Sequence, residues 1–528
     1  MRRIVTLLAA GGLAAASVTA VVAPAESASA KATTKPGSVA WHTCDDMFLT
    51  ELGIECGTLS VPLDATRQHG QRITLALSRL EHTAPPEDYQ GIMLVNPGGP
   101  GGSGLALSFL GYLVPDDVRA AYDWIGFDPR GVGSSSPQVR CIPDYFVGPR
   151  PDYDIATGTE HEWLDRVQDY VQACRSNGVG LLNHLKTVDN VHDMDAIRRA
   201  LGQEQLNFYG FSYGTYLAQV YATLFPDQVR RMVLDANVDP RNVWYDANIS
   251  QDYAFETVIG LFFAWVAGYD STYHLGDTAA EVEQAYYDAR AELSAQPLGR
   301  LGPSELSDAV LVAGYVQALW PDIAQGLSDL VNDADPTILT GWYEAFMGPG
   351  DDNGYAMYLA TECTDAPWPR DWDFWHADNS DVAEDAPFLT WPNAWFNAPC
   401  AFWAAPAGQP VDVDGSEAPP LLLVSETLDA ATPFAGSLEV RSRFPDSVLV
   451  AVEGGTTHAN SLAGNECVDG RIFAYLRDGS LPDRLPGNQA DVTCAPLPAP
   501  VPAAAEAAAT AGLGSHATGL SLLLSRPR

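Results

Sequence analysis

The segment 207–221 constrains this chain more than any other part of it. At its centre, residues 210–214 read Gly-Phe-Ser-Tyr-Gly, a G-x-S-x-G motif between an apolar run and a helix-forming run. A strand, one sharp turn and a helix form a nucleophile elbow, which lifts a serine hydroxyl above the edge of a sheet. The flanking glycines allow strand and helix to approach closely, because glycine has no Cβ. The pattern predicts Ser212 as a nucleophile.

Two later segments supply partners for such a serine. Residues 420–425 form an apolar run that is followed by Asp429, and residues 448–452 form another that is followed by His458. Each candidate therefore comes soon after a predicted strand. The chain order Ser, Asp, His is that of α/β-hydrolases, in which the acid orients the histidine and the histidine activates the serine.

A glycine-rich loop follows an earlier predicted strand. Residues 91–96 are mostly apolar, and residues 97–104 read Pro-Gly-Gly-Pro-Gly-Gly-Ser-Gly. A phosphate-binding loop would need a Gly-Lys-Ser/Thr ending, which does not follow. With a G-x-S-x-G downstream, an oxyanion loop is the better interpretation. The predicted oxyanion donors are the backbone N–H groups of Gly99, or its neighbour Gly98, and of Tyr213.

The remaining pattern predicts an α/β fold with a mostly parallel central sheet and flanking helices, because strands alternate with helices. Further strands are predicted at 57–63, 72–80, 122–128, 207–211 and 229–235, and helices at 160–176 and 188–202. From 241 to 406 the chain has helical stretches, many aromatic residues and no strand series, which predicts a largely helical lid inserted over the site. The core then comprises residues 40–240 and 407–495.

Both ends of the chain have compositions unlike the core. Residues 1–30 have two arginines, an apolar run and an Ala-Ser-Ala site, which is typical of an export signal peptide. A membrane anchor is the alternative interpretation of that run. Residues 496–528 are rich in Ala and Pro and are predicted to be a linker or disordered extension.

The cysteine count fits export. The chain has eight cysteines, and an even count in an exported protein predicts disulfides. Although eight cysteines allow 105 connectivities, we expect nearest neighbours to pair, because each bond would then staple one local segment. No C-x-x-C occurs and the cysteines do not cluster with histidines, so we expect no zinc site. The expected pairs are Cys44–Cys56, Cys141–Cys174, Cys363–Cys400 and Cys467–Cys494.

The charge limits the partners. A formal net charge of -38 argues against nucleic acid, whose phosphates need Lys and Arg. It is consistent with a soluble secreted protein, and an attraction of cationic substrates toward a cleft is the second interpretation. We expect no nucleic-acid partner, no membrane association after signal cleavage, and a monomer.

Taken together, the motifs resemble those of α/β-hydrolase peptidases of the prolyl aminopeptidase group, and most closely those of secreted actinobacterial tripeptidyl aminopeptidases. The resemblance covers residues 40–495, lid included. The segments that carry it are 96–104, 128–134, 210–215, Asp429 with Thr432 and Pro433, 454–458, and the lid segment 362–369.

This resemblance implies a serine exopeptidase that releases short peptides, specifically tripeptides, from a free N-terminus, and it leaves open a preference for proline before the cut. No metal or organic cofactor is implied. In related enzymes lid glutamates hold the substrate α-ammonium, which makes Glu362 the candidate here and Asp365 the next choice. The alternative is that Glu362 is an ordinary lid carboxylate.

Two other functions stay open at this point. An esterase or amidase acting on small acyl substrates would use the same Ser, His and Asp, but it would gain nothing from a carboxylate that binds ammonium. A binding protein that kept the fold and lost the chemistry is the remote alternative, because a fold alone does not establish function.

Overall fold

A computed structural model describes residues 38–178 and 180–502. The predicted signal peptide (1–30) and residues 503–528 of the predicted tail lie outside this part of the chain. Both therefore stay predictions. Among the described residues, no helix combines the length and apolar character needed to cross a membrane.

The centre of the fold is a ten-stranded sheet with the order β1-β2-β3-β5-β4-β6-β7-β8-β9-β10. Strands β1, β2, β3 and β5 pair antiparallel with one another, and every other neighbouring pair is parallel. The strands are β1 His42–Thr43, β2 Glu55–Pro62, β3 Arg72–Leu80, β4 Ile92–Asn96, β5 Asp123–Phe127, β6 Leu206–Phe211, β7 Val229–Asp235, β8 Leu422–Glu426, β9 Val448–Val452 and β10 Val492–Cys494.

The inner strands are buried on both faces, which explains their continuous apolar runs. Met93 and Val95 of β4 face one hydrophobic cluster, and Leu94 between them faces the other. Successive side chains of a strand point to opposite faces, so both sides of the sheet need helical cover. The predicted fold class, a mostly parallel sheet with flanking helices and a helical insertion, is confirmed.

Helices cover the sheet and also build the insertion. Those that flank the sheet are α1 Met47–Glu51, α2 Asp116–Ala120, α3 Glu160–Asn177, α4 Thr187–Ala200, α5 Tyr213–Leu224, α16 Phe434–Arg443 and α17 Glu466–Asp478. Between β7 and β8 lie α6 Tyr245–Ala267, α7 Asp270–Tyr273, α8 Ala279–Ala295, α9 Pro303–Tyr315, α10 Trp320–Asp333, α11 Thr337–Met347, α12 Asn353–Asp365, α13 Trp372–Ala383, α14 Thr390–Asn397 and α15 Pro399–Phe402.

The helices α6–α15, called the lid below, do not form a separate core. Phe262 and Tyr286 of the lid belong to the same hydrophobic cluster as Phe208 of β6 and Leu217 of α5. The lid therefore shares one continuous hydrophobic core with the sheet and its flanking helices. We expect its helices to hold side chains in fixed positions over the strand ends, because close-packed interiors leave little room for movement.

All eight cysteines are paired, and the pairs are those expected from the sequence. Cys363–Cys400 joins α12 to α15 inside the lid, and Cys467–Cys494 joins α17 to β10. Disulfides persist in oxidising compartments. The four bonds therefore suit a protein of such a compartment.

Candidate active site

Ser212 stands at the turn between β6 and α5 in the conformation of a nucleophile elbow. Its φ of 55° and ψ of -128° lie in a region that residues with a Cβ rarely occupy. The Ser212 N–H donates to the Asp235 carbonyl (3.1 Å), and the Ser212 carbonyl accepts from the Thr215 hydroxyl (2.6 Å). These bonds hold the turn in place, with α5 beginning at the next residue.

The glycine-rich loop after β4 packs directly against this elbow. A Cβ on Gly98 would lie 2.6 Å from the Phe211 carbonyl oxygen and 2.8 Å from the Ser212 Cβ. The φ of Gly98 is +97°, which side-chain-bearing residues also avoid. The Asn96 side chain accepts from the Gly98 N–H (2.9 Å) and so sets the loop on the strand that precedes it.

Gly99 and Tyr213, the two predicted oxyanion donors, line the same cavity as Ser212. Asp128, at the end of β5, steadies the far end of the glycine-rich loop by accepting from the Ser103 hydroxyl (2.5 Å) and the Gly104 N–H (3.1 Å). The loop therefore has a hydrogen-bonded anchor at each end.

His458 and Asp429 form a buried pair. The His458 Nδ1 lies 2.9 Å from both carboxylate oxygens of Asp429. Asp429 also accepts from the N–H groups of Ala431 (2.9 Å) and Thr432 (3.0 Å) and from the Thr432 hydroxyl (2.8 Å). Burial alone would lower the pKa of His458, but the neighbouring Asp429 carboxylate raises it above its usual value. An imidazole held in this way can accept a proton on its other nitrogen.

Two further buried carboxyls hold the loop that carries His458. Glu426, the last residue of β8, accepts from the Thr457 N–H and from the Asn460 side chain (2.7 Å). Asp235, the last residue of β7, accepts from the Ser461 N–H (2.8 Å). Burial raises the pKa of Glu426 to about 8 and that of Asp235 to about 6. Neither residue has a role predicted from the sequence.

A cavity of about 260 Å³ opens beside Ser212 and His458 and reaches up into the lid. Its lid side has both apolar and polar walls. Among the residues that line it are Phe255, Tyr315, Tyr358, Glu362, Asn393 and Phe396. The lid thus covers the strand ends and leaves a cavity large enough for a small ligand or for the end of a peptide chain.

Glu362, on α12, is a buried carboxyl at this cavity without a cationic partner among the described residues. It is 4% exposed, and its Oε2 has no hydrogen-bond partner within that part of the chain. Burial raises the pKa of Glu362 well above its ordinary value. An acidic group in such a setting favours either a proton or a cation beside it.

Asp365 lies one turn further along α12 and has a different environment. It accepts from the Thr187 N–H (2.7 Å) and the Thr187 hydroxyl (2.5 Å), and the same hydroxyl lies 2.7 Å from the Tyr213 hydroxyl. Burial raises the pKa of Asp365 to about 7. Its contacts tie α12 to the beginning of α4 and to the residue after Ser212. Of these two α12 carboxyls, Glu362 is the one that lines the cavity.

The structure thus brings Ser212, His458, Gly99, Tyr213 and Glu362 to one cavity, with Asp429 behind the histidine. Among the described residues no group of three or more His, Cys, Asp or Glu side chains is arranged to hold a metal ion. The fold and the elbow define the chain as an α/β hydrolase.

Comparisons with known proteins give the family. A protein-family model described as the α/β hydrolase fold matches residues 91–309. A second family model, described as TAP-like protein, matches residues 386–494. The tripeptidyl aminopeptidase of Streptomyces coelicolor is 39% identical over 475 residues, 86% of each chain. The chain therefore belongs to the α/β-hydrolase family that contains the tripeptidyl aminopeptidases.

More distant relatives have different names. The serine protease Hip1 of Mycobacterium tuberculosis is 32% identical over 458 residues, which cover 81% of this chain and 86% of that relative. The carboxylesterase B of the same species is 31% identical over 483 residues, which cover 86% of this chain and 90% of the relative. Peptidase and esterase names thus both occur among relatives of similar sequence identity to this chain.

Proposed function

We propose that this protein is a serine exopeptidase that releases short peptides, specifically tripeptides, from the free N-terminus of peptide substrates. The observation that carries the proposal is the position of Glu362. A buried, unpartnered carboxyl lines the same cavity as Ser212 and His458, and it suits an α-ammonium group better than a neutral acyl chain. The Streptomyces coelicolor relative, named a tripeptidyl aminopeptidase, supports the length of the released peptide.

The chemistry begins at the elbow. His458 takes the proton of the Ser212 hydroxyl while the serine oxygen attacks the substrate carbonyl carbon, and it then gives that proton to the departing amine. Asp429 holds the imidazole in the tautomer that has its proton on Nδ1 and stabilises the imidazolium that forms. Water, activated by His458, then hydrolyses the acyl-enzyme.

The backbone N–H groups of Gly99 and Tyr213 receive the negative charge that develops on the carbonyl oxygen. Both belong to segments whose positions are already held by hydrogen bonds in the free protein. Donors that need no reorganisation are worth about 3 kcal/mol each in a site from which water is excluded.

Recognition takes place under the lid. Glu362 binds the α-ammonium of the substrate. The distance from Glu362 to Ser212 then sets the length of the peptide that is released. Attraction between the two charges is stronger here than at an exposed site, because the surroundings are apolar. Asp365 remains the second candidate for the ammonium, although its two oxygens already accept from Thr187.

The site of action follows from the export signal and the disulfides. The signal peptide directs the chain out of the cell, where the enzyme works as a secreted monomer on peptides with a free N-terminus. Neither a membrane nor a nucleic acid takes part. The four disulfides suit this location.

A serine esterase acting on small acyl substrates is the second candidate. The specific observation in its favour is the relative named carboxylesterase B, which aligns with as much of this chain as the tripeptidyl aminopeptidase does. The two functions differ in one requirement, because only the exopeptidase needs an amine on its substrate.

The deciding experiment compares a tripeptide p-nitroanilide with a free amine, its N-acetylated twin, and p-nitrophenyl acetate. We expect fast cleavage of the free amine, at least 100-fold slower cleavage after acetylation, as expected for loss of a buried charge pair, and no cleavage by Ser212→Ala. Equal or faster turnover of the acetylated amide or the ester would replace the exopeptidase with the esterase.

A further inference from the structure

A chain of hydrogen bonds runs through the lid and ends at the cavity beside Glu362. It starts at Asp252 on α6, passes through Asn393 and Asn397 on α14, and reaches Tyr358 on α12. The three links are 2.9 Å each, from Asn393 Nδ2 to Asp252 Oδ1, from Asn397 Nδ2 to Asn393 Oδ1, and from the Tyr358 hydroxyl to Asn397 Oδ1. Asn393 and Tyr358 line the cavity.

The direction of the links is set by the backbone carbonyl of Asn248, which can only accept. The Asn393 amide nitrogen faces this carbonyl (3.1 Å) and also Asp252 Oδ1 (2.9 Å). With the Asn393 side-chain oxygen in that position, two acceptors would face each other at the Asn248 carbonyl. The Asn393 side-chain oxygen must therefore point the other way, toward Asn397.

The next amide is oriented by the same reasoning. Asn397 Nδ2 faces the Asn393 side-chain oxygen and also the Asn393 backbone carbonyl (3.0 Å), which are both acceptors. Its own oxygen is then the group presented to Tyr358. A hydroxyl has one proton, and the Tyr358 proton is consequently directed to Asn397 Oδ1.

Tyr358 therefore presents a lone pair, and not a proton, to its other neighbour. That neighbour is Glu362, which lies about one helical turn further along α12 and lines the same cavity as Tyr358. When Glu362 is ionised, the Tyr358 oxygen and the Glu362 carboxylate present only acceptors to this cavity. Such a pair needs a donor to bridge it.

We propose that Tyr358 is a second acceptor for the substrate α-ammonium, oriented for this task by Asp252, Asn393 and Asn397. One ammonium N–H is bound by Glu362 and another by the Tyr358 oxygen. This inference rests on the proposed exopeptidase function and adds to it the residue that completes the ammonium site. In the free enzyme a proton on Glu362 can bridge the two groups, and this proton passes to solvent when the charged ammonium binds.

The first test removes the hydroxyl and keeps the ring. Tyr358→Phe retains the packing against Phe396, whose ring centroid lies 5.0 Å away. We expect KM for the free-amine tripeptide p-nitroanilide to rise about 10-fold or more, as for a lost hydrogen bond to a charged group. The kcat for that substrate and kcat/KM for p-nitrophenyl acetate should not change, because the ester has no amine.

Tyr355→Phe is the matched control. Tyr355 lies on the same helix, and its hydroxyl also donates to α14, at the Phe396 carbonyl (2.8 Å), but it does not line the cavity. Its substitution removes one α12–α14 hydrogen bond and should leave KM unchanged. Equal effects of the two variants, or a Tyr358→Phe variant that matches wild type, would overturn the proposal.

A second test asks whether the amide chain acts through Tyr358. Asn397→Leu frees the Tyr358 proton to turn toward Glu362, so KM for the amine substrate should rise. The same substitution in the Tyr358→Phe background should add less than 2-fold, since coupled residues are non-additive. A full additional rise would overturn the assigned role of Asn397.

The wild-type and Glu362→Gln enzymes separate this inference from the function that it depends on. A wild-type enzyme indifferent to N-acetylation overturns the exopeptidase and the ammonium site together. A wild-type enzyme that requires the amine and loses this requirement in Glu362→Gln, while Tyr358→Phe has no effect, keeps the function and overturns the Tyr358 proposal alone.

Discussion

The buried carboxyls at the strand ends and the Glu362 carboxyl of the lid are in opposite states. Asp429, Asp235 and Glu426 each accept hydrogen bonds from the loops around them, and Asp429 also holds His458. Glu362 is just as buried, yet one of its oxygens has no partner among the described residues. The strand-end groups have their partners in the free protein, whereas in the proposed function the substrate ammonium supplies the partner of Glu362.

This difference separates reaction from recognition. Groups that act in every turnover gain from being fixed in advance, because no reorganisation is then needed when charge develops. A recognition group gains from being unsatisfied, because the substrate then supplies the missing partner. An unpartnered buried polar group costs stability, and such costs are concentrated at functional sites.

The largest effect should come from the strand-end group that contacts the imidazole. Asp429→Asn is expected to lower kcat about 10⁴-fold, as for the loss of the correct tautomer in a Ser-His-Asp triad. The loss should be similar for the amine substrate and for p-nitrophenyl acetate, because the acid acts on His458 and not on the substrate. Steady-state kinetics with both substrates measures it.

A loss below 10-fold would contradict this assignment and point to Asp235. That carboxyl is the other acidic group whose charge raises the pKa of His458. The double variant Asp429→Asn with Asp235→Asn would then show the loss of kcat that Asp429→Asn alone does not.

A smaller effect should come from the strand-end carboxyl that supports the His458 loop. Glu426→Gln can accept from either Thr457 or Asn460 but not from both, so the loop is held less firmly. We expect kcat to fall about 10-fold on both substrates with KM unchanged, which corresponds to one lost buried hydrogen bond. Glu453→Gln, an exposed position in the same loop, is the matched control. A change confined to KM would show that Glu426 acts on the substrate.

The smallest effect is one of stability and has the opposite sign. The pKa of Glu362 is higher in the folded protein than its ordinary value of 4.5, because of burial. The folded state therefore binds more protons, and the free energy of unfolding falls as pH rises above about 4.5. Each unit of raised pKa is worth about 1.4 kcal/mol.

Glu362→Gln removes this penalty, so the variant should be more stable than wild type at pH 8 and nearly equal to it at pH 5. Urea unfolding followed by tryptophan fluorescence measures the difference. The raised pKa values of Asp365, Glu426 and Asp235 are common to both proteins and cancel. A difference that stays constant with pH would show that Glu362 has no unpaired charge to lose.

The strands were the part of the fold most readily predicted from sequence. The runs at 72–80, 229–235 and 448–452 match β3, β7 and β9 residue for residue. The run in β9 is apolar throughout, and β3 and β7 bury most of their residues. The edge strands β1 and β10 have two and three residues and were not predicted. Strands this short have no periodicity to detect, and their pairing depends on a neighbour distant in the chain.

The candidate site also contains residues that the sequence predicts and residues that it does not. Ser212, Asp429 and His458 each follow a strand, so local sequence marks their places, and a parallel sheet brings those strand ends together. Asp252 and Asn393 are separated by 141 residues and have no local signal. Tyr358 is four residues from Glu362, which predicts that they share a helix face, but not which way its hydroxyl proton points.

The inner strands and their order, the elbow with its acid and histidine, and the cysteine pairs closed over short distances could all be predicted from the sequence. Each of these is encoded in a contiguous segment, where side-chain periodicity, glycine and chain order act locally. Which carboxyls have partners depends on the tertiary structure. The donors that satisfy Asp365 and Glu426 come from other elements of the fold. No such donor reaches the Oε2 of Glu362 within the described residues. Because these carboxyls are buried, the presence or absence of a donor changes the free energy of their charged form.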